Sequence, residues 1–126
     1  MEDFEFSPEF CKFIQASIPA VDAAELLLLF HSRPEEWFSA EAASARLGPG
    51  IAIGAVRKYL ADFEARGLLA ASEGRYRFRV DSALAQFVAR LEQAYTQRPV
   101  TLVRIIYALR DSKIQSFADA FKLRRG

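Results

Sequence analysis

Histidine and cysteine occur once each, as His31 and Cys11, and that scarcity excludes much of the chemistry open to a chain of this size. A single cysteine cannot close an internal disulfide. One histidine and one cysteine far apart supply no clustered ligand set for a metal. His31 falls at a predicted helix end, where a cap or a surface position is the ordinary role. Cys11 lies on a short predicted helix and reads as a small core residue. Neither sits in a nucleophile or acid–base motif. Glu35-Glu36 is a bare acidic pair in a loop, a pattern that is usually just solvated. Gly48-Pro49-Gly50 lacks the Lys-Ser/Thr that a phosphate-cradling loop requires. No catalytic residue, metal or cofactor is therefore expected, and the chain is not read as an enzyme. Long apolar runs are missing as well. The longest, residues 23–30, is interrupted by Glu25 and falls short of the roughly 18 to 20 residues that span a bilayer. The acidic start, MEDFEF, lacks the basic opening of a signal peptide. A soluble cytoplasmic protein with no membrane partner is the expectation.

What is present is apolar side chains in helical spacing and a lopsided charge. Of the 126 residues, 52% are hydrophobic, enough to build a core. Residues 1–50 carry three basic and nine acidic side chains, a net of −6, whereas residues 51–126 carry fourteen basic and seven acidic, a net of +7. The second half would attract a polyanion and the first would repel one.

The periodicities predict a mainly helical chain with one small hairpin. Ser7-Pro8-Glu9 is a helix start, with a capping hydroxyl, proline at the first helical position and an acid in the first turn. Phe10, Phe13 and Ile14 then share one face, and Ile18-Pro19 ends the helix. Asp22, with Glu25 three residues on, has the spacing of a capping box for a second helix. That helix is apolar all round from Leu26 to Phe30 and should be buried on most sides. Trp37-Phe38 reads as a short strand or a hydrophobic staple. Ser39 caps a short alanine-rich helix with Ala43 and Leu47 inward. After the Gly48-Pro49-Gly50 turn, a helix over about residues 53–66 has Val56, Tyr59, Leu60 and Phe63 on one stripe, and Gly67 ends it in the left-handed region.

The stretch GRYRFRV, residues 74–80, alternates arginine with bulky apolar residues, the period of a half-buried strand. It pairs with residues 68–71 across Ser72-Glu73-Gly74. Tyr76, Phe78 and Val80 should pack inward, leaving Arg75, Arg77 and Arg79 on the other face. Arg79 lies deepest and is the most structural of the three. Asp81 or Ser82 caps a helix striped by Leu84, Phe87, Val88, Leu91 and Tyr95. Arg98-Pro99 interrupts it before an apolar stretch over residues 100–109. Ile114, Phe117, Ala118 and Phe121 predict a last short helix.

The order helix, short helix, Gly-Pro-Gly turn, longer helix, hairpin resembles a winged helix-turn-helix. The resemblance covers about residues 22–80. It is carried by Trp37-Phe38-Ser39, Ala42-Ala43-x-x-Arg46-Leu47-Gly48, Val56-Arg57-Lys58-Tyr59-Leu60 and Phe63-x-x-x-Gly67-Leu68-Leu69. The tail, residues 116–124, looks like that of small bacterial regulator-like proteins. The resemblance implies a winged-helix domain over residues 21–81. Residues 1–20 form an N-terminal helical extension, and residues 82–126 form C-terminal helices for packing and homodimerisation. It also implies a transcriptional regulator that binds double-stranded DNA.

In that arrangement the helix after the turn lies in the major groove. Its outward residues would be Ala52, Gly54, Ala55, Arg57, Lys58 and Ala61, with Arg57 reaching a guanine and Lys58 a phosphate. Arg75 and Arg77 would meet phosphates or the minor groove from the wing. Several features weigh the other way. No hydroxyl lies between Ser44 and Tyr59 to cap the reading helix at a phosphate. Asp62 and Glu64 add negative charge nearby. The wing arginines also fit the plain solvated face of a half-buried strand. The alternative is therefore a winged-helix protein-interaction module that does not bind DNA. A ligand pocket between helices has no signature in the sequence.

Overall fold

The structure is a computed structural model and describes residues 6–110. The six helices are α1 (Pro8–Ser17), α2 (Val21–Ser32), α3 (Ala40–Leu47), α4 (Ile53–Ala65), α5 (Ser82–Gln97) and α6 (Pro99–Arg110). Three short strands, β1 (Phe38–Ser39), β2 (Leu69–Ser72) and β3 (Arg75–Phe78), form an antiparallel sheet in the order β1-β3-β2. The chain is thus mainly α with a small sheet. The helix predicted over Ile114 to Phe121 lies outside the described residues.

α2 occupies the centre. Ala23, Ala24, Leu26, Leu27 and Phe30 are buried, and Leu28 and Leu29 are half-buried. A helix apolar around most of its circumference needs neighbours on most sides, and α2 packs against α3, α4, α5 and β3. Asp22 does not cap it. α1 breaks at Pro19, and the extended Ala20 is the N-cap, its carbonyl already accepting from the amides of Ala23 and Ala24. Asp22 therefore lies within the first turn, where its charge favours the helix dipole.

α1 begins as its sequence predicts, with the Ser7 hydroxyl accepting from the Phe10 amide at 3.2 Å. It lays Phe10, Phe13 and Ile14 over the core. Ser39 caps α3 by accepting from the Ala42 amide at 3.0 Å, and Asp81 caps α5 by accepting from the Leu84 amide at 2.9 Å. α4 closes in a Schellman motif. The Leu68 amide reaches the Phe63 carbonyl and the Gly67 amide the Glu64 carbonyl, with Gly67 at φ 82°, a conformation only glycine adopts without strain.

The hairpin turns at Glu73-Gly74, both at positive φ, the backbone that matches the twist of a two-residue connection. β3 ends at Phe78, two residues before the alternation predicts. Arg79 still donates its amide to the Leu68 carbonyl at 3.1 Å, but the ladder itself runs only from Leu69↔Phe78 to Ser72↔Arg75. Trp37-Phe38 resolves as a strand entry. β1 pairs with the opposite edge of β3 in the register Phe38↔Tyr76 and Ser39↔Arg75.

α5 covers a further side of α2, α1 and α6 pack on α5 and on each other, and buried residues from Phe10 to Leu109 form one continuous apolar cluster. The terminal segments therefore share a core with residues 21–81. α5 buries Val88, Leu91 and Ala94, while Tyr95 lies at the edge. Its length lets the ring lean over α2 and its hydroxyl donate to Glu25 at 2.9 Å. α6 turns Leu102, Ile105, Ile106 and Leu109 inward and leaves Val100 and Tyr107 exposed.

Phe30 has no solvent exposure, and its ring meets Phe38 edge-on at 5.2 Å. Phe30→Ala is expected to lower stability by about 3–5 kcal/mol through lost burial and a residual cavity. Ser39→Ala is expected to cost about 1 kcal/mol through loss of the α3 cap. Urea denaturation of both variants checks the order; equal losses would contradict the central position given to Phe30.

Candidate nucleic-acid interface

The inward residues of the hairpin are those the alternation predicts, but Arg77, and not Arg79, is the most enclosed of the three arginines, because β1 covers its side of the sheet. Tyr76, Phe78 and Val80 pack against the core, while Arg75 and Arg79 are exposed and Arg77 is half-buried. The third strand adds what the alternation could not show. One step beyond Phe38↔Tyr76, the register sets Trp37 opposite Arg77. The Arg77 guanidinium carbon lies 5.1 Å from the centre of the indole, within the range of a cation–π contact. Its Nε is buried with no hydrogen-bond partner. Arg77 is thus stacked and held, not free to swing. Arg75, flanked by Ser39 on β1 and Ser72 on β2, projects from the same face with no ion-pair or hydrogen-bond partner among the described residues.

Arg57 and Lys58 occupy different sides of α4. The Arg57 guanidinium pairs with Glu41 on α3, both side chains more than half exposed. Lys58 Nζ lies 3.3 Å from Asp62, one turn further along α4, and faces a cleft toward α1. Adjacent positions on a helix point about 100° apart, so the two cations do not meet one flat surface together. Both pairs are solvent-exposed, and pairs of that kind contribute little and exchange readily for another anion. The Glu41 carboxyl is held below the ordinary glutamate value. A backbone hydrogen bond at its own position at the start of α3 is the first cause, and the Arg57 guanidinium is the second.

Ala52, Gly54 and Ala61 are exposed on α4 as expected, whereas Ala55 is half-buried. Ile53, at the start of α4, is 40% exposed and joins them. This outer face offers few hydrogen-bonding groups. Across residues 21–81 there are eight basic and nine acidic side chains, a net of −1. Any attraction for a polyanion must therefore come from local placement and not from net charge. Arg46 is not part of a free surface. It lies over the Phe38 ring at 5.4 Å and pairs with Glu36, which also holds Arg33.

Sequence reasoning missed Trp37, Ile53 and Glu41. Trp37 becomes visible only once residue 38 is known to pair with β3. Glu41 becomes visible only once α3 and α4 lie side by side. His31 packs edge-on against Phe78 at 5.3 Å with Nδ1 3.6 Å from Glu92. It bridges α2, β3 and α5 as a structural group. Among the described residues no three His, Cys, Asp or Glu side chains cluster to hold a metal ion. Comparison with protein-family models, with curated proteins and with solved structures finds no match to this chain.

Because Glu41 titrates below the ordinary range when folded, whatever the Arg57 pair contributes is complete above that range and is lost only as pH falls through the depressed value. Carboxyl-carbon NMR is expected to show Glu41 with a midpoint below the ordinary glutamate value. Arg57→Ala is expected to raise that midpoint part of the way, because the backbone hydrogen bond stays. No rise would mean that the pair does not persist in solution. Trp37 is the only tryptophan, so its emission reports directly on the stacked guanidinium. Arg77→Ala is expected to shift it to longer wavelength as water replaces the cation; an unchanged spectrum would argue against the stack.

Proposed function

We propose that the chain is a winged helix-turn-helix transcriptional regulator that binds duplex DNA mainly through the phosphate backbone. What supports this is the path of the chain. α2, β1, α3, α4, β2 and β3 follow in the winged-helix order, and β1 pairs with β3 to brace the wing. α4 takes the role of reading helix, entering the major groove by its exposed N-terminal half, where Ala52 and Gly54 permit close backbone approach. Arg75 and Arg77 supply wing contacts, Arg77 from a guanidinium already ordered by Trp37. Arg57 reaches a phosphate by exchanging Glu41 for it. With so few hydrogen-bonding side chains on α4, recognition rests on shape and charge. Lys58 has a smaller part than its position in the sequence implies, because its amine faces the cleft toward α1.

A cytoplasmic location is part of the same proposal; among the described residues no single helix is long and apolar enough to cross a membrane. The exposed Val100 and Tyr107 on α6 supply the apolar contact for a homodimer, which would pair two reading helices across a two-fold site.

One observation favours the alternative, an interaction module that does not bind DNA. Arg57 and Lys58 are each matched by an acid, while Ile53 on α4 and Trp37 beside the wing stand exposed. Mixed-sequence duplex DNA separates the two functions. Regulation through phosphate contacts predicts binding at low salt whose logarithm falls against log salt with a slope of about −3 for three contacts. Arg75→Ala with Arg77→Ala is expected to flatten that slope by about 2. Folded protein that fails to bind at low salt would reject DNA binding and leave the interaction module.

A further inference from the structure

Lys58 lines a cleft on the side of α4 that faces α1. The cleft measures about 490 Å³ and lies between the C-terminal end of α1, the inner flank of α4 and the end of α6. Its size falls within the range of small-molecule pockets. Three cations from separate points of the fold line it: Lys58 on α4, Arg66 at the α4 C-cap and Arg110 at the end of α6. Asp62 is the acid among them, so the lining side chains carry a net charge of +2. Lys58 is partly matched by Asp62 at 3.3 Å. The Arg66 side chain has no ion-pair or hydrogen-bond partner among the described residues, and the Arg110 guanidinium has only the face of Tyr107 at 5.3 Å.

The neutral groups agree in character. Tyr59 and Gln15 line the cleft, and neither side chain has a hydrogen bond among the described residues. Tyr59 is held protonated to higher pH than usual, by burial first and by Asp22 second, so at neutral pH it stands as a donor. The walls at Ala16, Pro19, Ala20 and Ala55 are small and apolar. Several donors, one carboxylate and a compact apolar wall describe a ligand with more than one oxyanion group on a short carbon skeleton. Guanidinium groups favour carboxylate and phosphate oxygens alike.

We propose that this cleft binds a small organic polyanion, with two or more carboxylate or phosphate groups, held between Arg66, Arg110 and Lys58. Binding draws Lys58 from Asp62 toward the ligand, which places a small-molecule input on the same helix as the proposed reading face. The site does not depend on DNA binding, since Arg57, Arg75 and Arg77 take no part in it.

Calorimetric titration of the full chain at low salt tests it, with citrate as the polycarboxylate probe, pyrophosphate as the diphosphate probe and acetate as the single-charge control. At least one of citrate and pyrophosphate is expected to saturate a single site in the millimolar range or below, and acetate is not. Whichever binds better identifies the oxyanion preferred. Arg66→Ala and Arg110→Ala are each expected to weaken binding by about tenfold or more, the loss of a charge-assisted contact. Arg75→Ala, on the wing and outside the cleft, is expected to leave the binding of citrate and pyrophosphate unchanged. Asp62→Asn is expected to tighten binding, because it removes the internal competitor for Lys58; a misfolded variant would not reproduce that gain. The proposal is overturned if neither polyanion saturates in the millimolar range. It is overturned equally if Arg75→Ala weakens binding as much as Arg66→Ala, or if Asp62→Asn weakens it.

Discussion

The need to enclose α2 organises everything else. Water would have to be ordered around a helix whose apolar side chains point in nearly every direction, so each remaining element finds its place by covering part of it. α3 and α4 take one side, β3 another, and α5 a third, while α1 and α6 close over α5. The charged and polar stretches between these elements are left at the surface, and their positions follow from the packing beneath. A cluster that runs from Phe10 to Leu109 also explains why the N- and C-terminal helices are structural parts of the chain and not appendages.

The sheet shows how a small change in connectivity alters chemistry. A two-stranded hairpin would leave three arginines of residues 75–79 equivalent on a solvated face. Adding β1 to the free edge of β3 makes them unlike. Arg77 acquires an indole to lie on, Arg75 stands between two serines, and Arg79 leaves the ladder after one backbone bond to Leu68. Two hydrogen-bonded residues of β1 are enough to produce this difference, because cross-strand neighbours lie only about 5 Å apart.

Charge on α4 is divided in a similar way. Arg57 and Lys58 are adjacent in sequence, yet the helical turn between them directs one toward α3 and the other toward α1. Each meets a carboxylate in water-exposed surroundings, where pairing is loose and exchangeable. Two separate electrostatic surfaces result. One lies toward α3, where Arg57 meets Glu41. The other is concave and lined by Lys58, Arg66 and Arg110. A basic dipeptide on an exposed helix thus meets two different surroundings that a linear reading merges into one.

Local features were legible in the chain itself. The caps at Ser7, Ser39 and Asp81, the left-handed stop at Gly67, the hairpin turn and the inward set Tyr76, Phe78 and Val80 all depend on groups within a few residues of one another, whose preferences are set by backbone sterics and short hydrogen bonds. Asp22 shows the limit. Its capping-box spacing is genuine, but the break at Pro19 starts the helix before it. Pairings across long stretches of sequence were decided only by the tertiary structure: Trp37 with Arg77, Arg57 with Glu41, Tyr95 with Glu25, and the meeting of Lys58, Arg66 and Arg110. They arise because burying α2 forces distant segments together, and the side chains left at those junctions interact by distance in space rather than by spacing along the chain.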